Sequence, residues 1–266
     1  MPWKPHLRSV VAPPPLWREY RLGLEMRALL RDERFRKPPE ASVSRAVMLI
    51  PGFLTGDGSL GMMGSWLKRS GHRTCRAGIR LNVDCAEAAV ARLEQSLERF
   101  SQEQGEPAYI VGQSRGGTFA RVLAVRRPDL VRGIVTLGSP HLAPLAVHPI
   151  VWMQGAALAT LGTLGVPGVA KHSCVAGSCC REFARDLSGG FPARTRFVSV
   201  YSRSDGIVDW RACLDPAALH VEVDSTHCGM SMHGDVFDVV AGALRPRLAV
   251  KREKATPAAA ASRRAA

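Results

Sequence analysis

The stretch Tyr109-Ile110-Val111-Gly112-Gln113-Ser114-Arg115-Gly116-Gly117 governs how the rest of the chain is read. Residues 108–112 form a short apolar run, the pattern of a buried strand. Residues 115–127 read as a helix that Pro128 stops. Between them stands G-x-S-x-G, a serine on a sharp strand-to-helix turn. Such a turn strains the backbone at its centre and leaves room only for small neighbours two residues away. Gly112 and Gly116 meet that need, and Gly117 relieves the same crowding. The turn lifts the Ser114 hydroxyl over the C-terminal edge of a sheet, where the helix N-terminus favours developing negative charge. Ser114 is the expected nucleophile.

Upstream, residues 44–50 read as a second buried strand, closed by Pro51-Gly52; a helix over 60–70 leads to another run at 74–79. Residues 85–104 place Ala89, Val90, Leu93, Leu97 and Phe100 at helical spacing. Downstream come strands at 131–137, 196–201 and 219–223, then a helix over about 235–244. Strands alternating with helices of this length predict an α/β fold, a mostly parallel sheet covered on both faces. Residues 140–192 interrupt the alternation with Gly- and Ala-rich apolar sequence and no clean strand. Residues 1–37 read as an amphipathic basic arm, whose Leu22, Leu24, Met26, Leu29 and Leu30 suggest a helix ended by Pro38-Pro39.

A serine nucleophile needs a base, and the base needs an orienting acid. With the nucleophile on such a turn, the expected chain order is serine, acid, histidine. Asp205 lies just past the end of the 196–201 strand and is the favoured acid, with Asp209 the competitor. His227 lies on the loop after the 219–223 strand and is the favoured base. His233 is a weaker candidate, and His220 falls inside the strand. The oxyanion of the tetrahedral intermediate needs backbone donors, each worth roughly 3–4 kcal/mol. The N–H of Arg115 is one. The other is expected from the loop 50–56, with Phe53 favoured and Leu54 in reserve.

These residues together resemble the α/β-hydrolase superfamily, and within it the bacterial triacylglycerol lipases and esterases. The resemblance covers roughly residues 44–245. It rests on Pro51-Gly52-Phe53, the segment 112–117, Gly138-Ser139-Pro140-His141, Tyr201-Ser202-Arg203-Ser204-Asp205-Gly206-Ile207-Val208, and His227. It implies 44–250 as the hydrolase domain with a cap or lid at about 140–192; by composition, residues 1–43 read as a basic helical arm and 251–266 as a disordered basic Ala-rich tail. The chain departs from the lipase pattern at Gln113, where histidine is usual, at Arg115, and at Pro51, where the oxyanion loop usually begins His-Gly. Arg115 either sets a cation beside the reacting carbon or points into the surroundings of its helix. The implied activity is cleavage of acyl esters through an acyl-enzyme, without cofactor or metal. An acyltransferase with the same triad is the alternative, and a non-catalytic hydrolase-like binding protein the remoter one.

The 266 residues carry 36 Lys plus Arg against 23 Asp plus Glu, a net charge of +13. Residues 1–37 hold +5 of it and residues 251–266 hold +4, so the middle is nearly balanced. With aromatic residues at 6% and no nucleic-acid module, a nucleic-acid partner is not expected. Contact between the basic arm and an anionic membrane is an accessory expectation. No signal-like run is read at the start, so a cytoplasmic location is expected. Seven cysteines, an odd count, favour free thiols, and the C-x4-C-C spacing at 174–180 is not the paired pattern of a zinc site.

Overall fold

The computed structural model describes residues 13–176 and 179–246. The arm opens with a 3-10 turn at Leu16–Arg21, followed by α1 (Leu22–Arg31) and α2 (Glu33–Arg36). Then come β1 (Ala46–Ile50), α3 (Gly61–Arg69), β2 (Arg73–Arg76), α4 (Ala86–Gln104), β3 (Ala108–Gln113), α5 (Arg115–Arg126) and β4 (Val131–Leu137). Three helices, α6 (Pro149–Thr163), α7 (His172–Ala176) and α8 (Arg181–Ser188), precede β5 (Arg196–Tyr201), β6 (Leu219–Glu222) and α9 (Gly234–Leu244).

The sheet order is β2-β1-β3-β4-β5-β6, and every neighbouring pair is parallel. Every residue of β1 and β3 is buried, as continuous apolar strands must be when helices cover both faces. One core lies on the face of α3 and α9, where Phe237 packs on Trp66 with ring centroids 4.9 Å apart. The other lies beneath α4 and α5 and holds Leu93, Leu97, Phe119 and Ile110. Parallel pairing has one consequence for chemistry. It brings the C-terminal ends of β1, β3, β4, β5 and β6 to a single edge, so the loops after them converge.

Residues 140–192 contain helices and no strand among the described residues, and they are stitched to that edge. Val147 pairs antiparallel with Val208, the His148 N–H donates to Ile207 O at 2.7 Å, and the Ala170 N–H donates to Val83 O at 2.9 Å. Within α6 only Ala159 and Gly162 are buried, while Ile150, Trp152, Met153 and Leu161 face solvent.

The arm is built into the same body. Leu29 sits in the first core at 2% exposure, and Arg34 pairs with Asp235 and Asp238 of α9. The beginning of the arm and the 251–266 tail lie outside the described residues.

Candidate active site

Ser114 occupies the turn between β3 and α5 with φ 52° and ψ −122°, a left-handed conformation that costs a non-glycine residue about 1–3 kcal/mol. The turn closes tightly. A Cβ on Gly112 would lie 2.5 Å from Gly116 O, and one on Gly116 would collide with Ile50 O. The Ser114 N–H donates to Leu137 O at 2.7 Å, so the strained residue is held by the edge of β4.

Asp205 and His227 are joined. Asp205 Oδ2 meets His227 Nδ1 at 2.7 Å, and both side chains are almost wholly buried. The other carboxylate oxygen accepts the N–H groups of Ile207 at 2.8 Å and Val208 at 2.7 Å, which fixes the rotamer of the acid. Ser202 Oγ accepts both the Ser204 N–H at 3.0 Å and the Ser225 N–H at 3.2 Å, tying the acid loop to the histidine loop. Burial pulls the His227 pKa down, but the negative charges of Asp205 and Glu19 outweigh it, and the imidazole is held above its usual value. Nδ1 faces the acid, and Nε2 has no hydrogen-bond partner among the described residues. No hydrogen bond joins Ser114 Oγ to His227 among the described residues. Gln113 links the two segments instead, donating from Nε2 to His227 O at 3.1 Å.

The competing candidates have other partners. Asp209 caps the short turn Trp210–Cys213 by accepting the Arg211 N–H at 3.0 Å, and it pairs with the Arg211 guanidinium. His220 Nε2 contacts Asp215 O at 2.7 Å, and His233 precedes α9 with its Nδ1 3.9 Å from Asp235.

The loop after β1 reaches over the serine: a Cβ on Gly52 would stand 3.2 Å from Ser114 Cβ. The Leu54 N–H points to Asn82 O at 3.4 Å, whereas the N–H groups of Phe53 and Arg115 find no acceptor among the described residues. Unpaired backbone donors are what an oxyanion requires. The Arg115 side chain turns away from the serine and donates to Asn82 O at 3.1 Å, Asn82 Oδ1 at 2.7 Å and Asp84 O at 2.5 Å.

A family model described as alpha/beta hydrolase fold matches residues 69–160. The lipase BlEst2 of Bacillus licheniformis in its mature form superposes with a TM-score of 0.55 at 16% identity, covering 76% of this chain and 92% of that one. The monoacylglycerol lipase of Paleococcus ferrophilus superposes with a TM-score of 0.52 at 14% identity, covering 74% and 94%. The chain has the α/β-hydrolase fold. Among curated proteins, the mouse sn-1-specific diacylglycerol lipase ABHD11 is 24% identical over 160 residues, which is 59% of this chain. The chain spans half the length of that relative.

Several residues that shape this site are not apparent from the motifs. Glu19 accepts the N–H groups of His227 at 2.8 Å, Gly206 at 3.0 Å and Cys228 at 3.2 Å. Glu25, buried beneath the same loop, accepts from the Thr226 N–H at 2.9 Å and the Thr226 hydroxyl at 2.7 Å. Asn82 donates from Nδ2 to Pro51 O at 2.9 Å and so braces the loop above the serine. No local pattern marks them, because each acts on a segment far away in sequence; a carboxylate on the apolar face of α1 is the one available hint. A cavity of about 720 Å³ is lined by Phe191, Arg196, Phe197, Leu219 and Val239 at the other end of β5, and none of the convergent groups lies in it. Convergence of a strained serine, a buried acid–histidine pair and free amides outweighs cavity size as a guide to chemistry.

Proposed function

We propose that this α/β-hydrolase is a serine ester hydrolase acting on acyl esters, with Ser114, His227 and Asp205 as its triad. Ser114 Oγ attacks the ester carbonyl while His227 Nε2 takes the hydroxyl proton. The tetrahedral oxyanion is held by the Phe53 and Arg115 N–H groups. As the intermediate collapses, the carbon–oxygen bond to the alcohol breaks and His227 returns the proton to the departing alkoxide. Water, deprotonated by His227, then attacks the acyl-serine and releases the acid. Asp205 keeps the imidazole in the tautomer that leaves Nε2 free and stabilises the imidazolium. No metal or organic cofactor takes part.

The observation that carries this reading is the 2.7 Å pair between Asp205 and His227, both buried, over the turn that strains Ser114 to φ 52°. Leu142, Leu145, Ile150, Trp152 and Met153 expose apolar surface in the segment that follows β4, which suits an acyl-binding wall or lid. On the arm, Trp17, Tyr20, Leu24 and Leu30 are exposed beside Arg27 and Arg31, which suits contact with an anionic membrane surface.

The test is labelling of the wild type and Ser114→Ala with a fluorophosphonate probe, followed by p-nitrophenyl esters of increasing chain length. The wild type is expected to label and to turn over esters. Labelling that survives Ser114→Ala removes the nucleophile, and labelling without hydrolysis of any ester redirects the reading to acyl transfer.

A further inference from the structure

Three cysteines that the triad does not use meet beside α5, with a fourth next to them. The thiol sulfurs of Cys85, Cys179 and Cys180 all lie within 4.8 Å of one another. Cys85 and Cys180 are 3.5 Å apart, and Cys179 and Cys180 are 3.8 Å apart. Cys174 stands close enough to interact with both Cys85 and Cys179. A tetrahedral zinc with four thiolates at about 2.3 Å has sulfur–sulfur edges of about 3.8 Å, close to the Cys85–Cys180 and Cys179–Cys180 separations, with Cys174 beside these three sulfurs. The ligand set comes from three places: Cys85 immediately before α4, Cys174 on α7, and Cys179 and Cys180 immediately before α8.

The surroundings suit anionic sulfur. The Lys171 N–H points to Cys174 Sγ at 3.4 Å, and amides of Glu87 and Ala88 in the first turn of α4 interact with Cys85. Outer N–H groups of this kind orient and stabilise metal-bound ligands.

Arg115 supplies an independent observation. Among the described residues its guanidinium makes hydrogen bonds only to neutral oxygens, those of Asn82 and Asp84 main chain and the Asn82 amide. The nearby carboxylates are engaged elsewhere, Asp84 with Arg92 and Glu87 with Arg126. The acidic groups near enough to act on its charge are Cys180, Cys85 and Cys174. Among the described residues, this half-buried cation stands next to three neutral thiols and has no counter-charge. A zinc tetrathiolate carries a net charge of −2 and would provide one.

We propose that Cys85, Cys174, Cys179 and Cys180 bind one zinc ion, which fastens the helices α7 and α8 to the start of α4. Thiolate donors select zinc or another thiophilic ion over hard cations. Each thiol gives up a proton as its bond to the metal forms, so binding weakens as pH falls. The spacing of 174–180 alone argues against a zinc site because the fourth ligand, Cys85, is contributed by the fold.

The test uses the full chain, purified under reducing conditions. Metal analysis is expected to find about one zinc per chain, and cobalt titration of the stripped protein is expected to give the intense visible bands of a tetrahedral thiolate site, abolished by stoichiometric zinc. Cys85→Ser and Cys180→Ser should lose both signals, while Cys75→Ser, on β2, should keep them. Circular dichroism checks that each variant is folded, and the wild-type cobalt spectrum stands whatever the variants do. Absence of cobalt bands in the reduced wild type overturns the proposal, as do bands that persist in folded Cys85→Ser and Cys180→Ser. Four thiols missing from a metal-free protein, restored by reductant, overturns it in favour of two disulfides.

Discussion

Glu19 accepts the backbone N–H of His227 at 2.8 Å, so a carboxylate from the N-terminal arm holds the proposed catalytic base. The same Oε1 atom also takes the Gly206 N–H, next to Asp205. One side chain thus spans the acid loop and the histidine loop, and its charge raises the His227 pKa together with that of Asp205. Replacing it with Gln keeps an acceptor but removes the charge. Glu19→Gln is expected to lower kcat on a p-nitrophenyl ester by about 10-fold with KM little changed. The base works when neutral, so a lower His227 pKa should also shift the acidic limb of the pH–rate profile to lower pH. A profile that stays in place would reduce Glu19 to a structural tie.

Asp205 and Asp209 can be told apart by substitution. Asp205→Asn removes the charge that orients and stabilises His227 and is expected to reduce kcat by on the order of 10³–10⁴. Asp209→Asn leaves the His227 pair intact and is expected to keep most of the activity. Turnover of the same ester by the two variants decides it, and a larger loss at Asp209 would overturn the assignment.

The strain at Ser114 predicts a trade between activity and stability. Glycine adopts φ 52° freely, so Ser114→Gly should abolish fluorophosphonate labelling and yet raise stability by about 1 kcal/mol. Urea unfolding of the two proteins measures it; an unchanged or lower midpoint would mean that the turn is not strained.

His141 gives a stability prediction on the acid side. Complete burial depresses its pKa to about 3, and its Nδ1 has no hydrogen-bond partner among the described residues while Nε2 contacts Thr136 Oγ1 at 3.0 Å. The folded protein therefore binds the proton less readily than the unfolded chain. This contribution to stability is present above the unfolded value near 6.5 and is lost as pH falls from there toward about 3. Urea midpoints between pH 7 and pH 4 should fall more steeply for the wild type than for His141→Gln. Parallel curves would show that His141 does not carry the effect.

Much of the fold was legible in the order of residues. The apolar runs that became β1, β3, β4 and β5 and the periodic helices α4, α5 and α9 are local patterns, and the structure reproduces them to within a few residues. Elbow chemistry is local as well, since Gly112, Ser114 and Gly116 crowd one another within a single turn.

What the sequence alone determined, then, is everything that a few neighbouring residues enforce: strands buried on both faces, the strained serine, and an acid and a histidine just beyond strand ends. Only the tertiary structure decided which groups meet. It paired Asp205 rather than Asp209 with His227, turned Arg115 away from the serine, and drew the arm across the site so that Glu19 and Glu25 grip the histidine loop. It also gathered Cys85 with Cys179 and Cys180 across nearly a hundred residues. Such partners are chosen by the parallel sheet, which collects loops distant in sequence at one edge, and by buried charge, which must find hydrogen bonds wherever the fold supplies them.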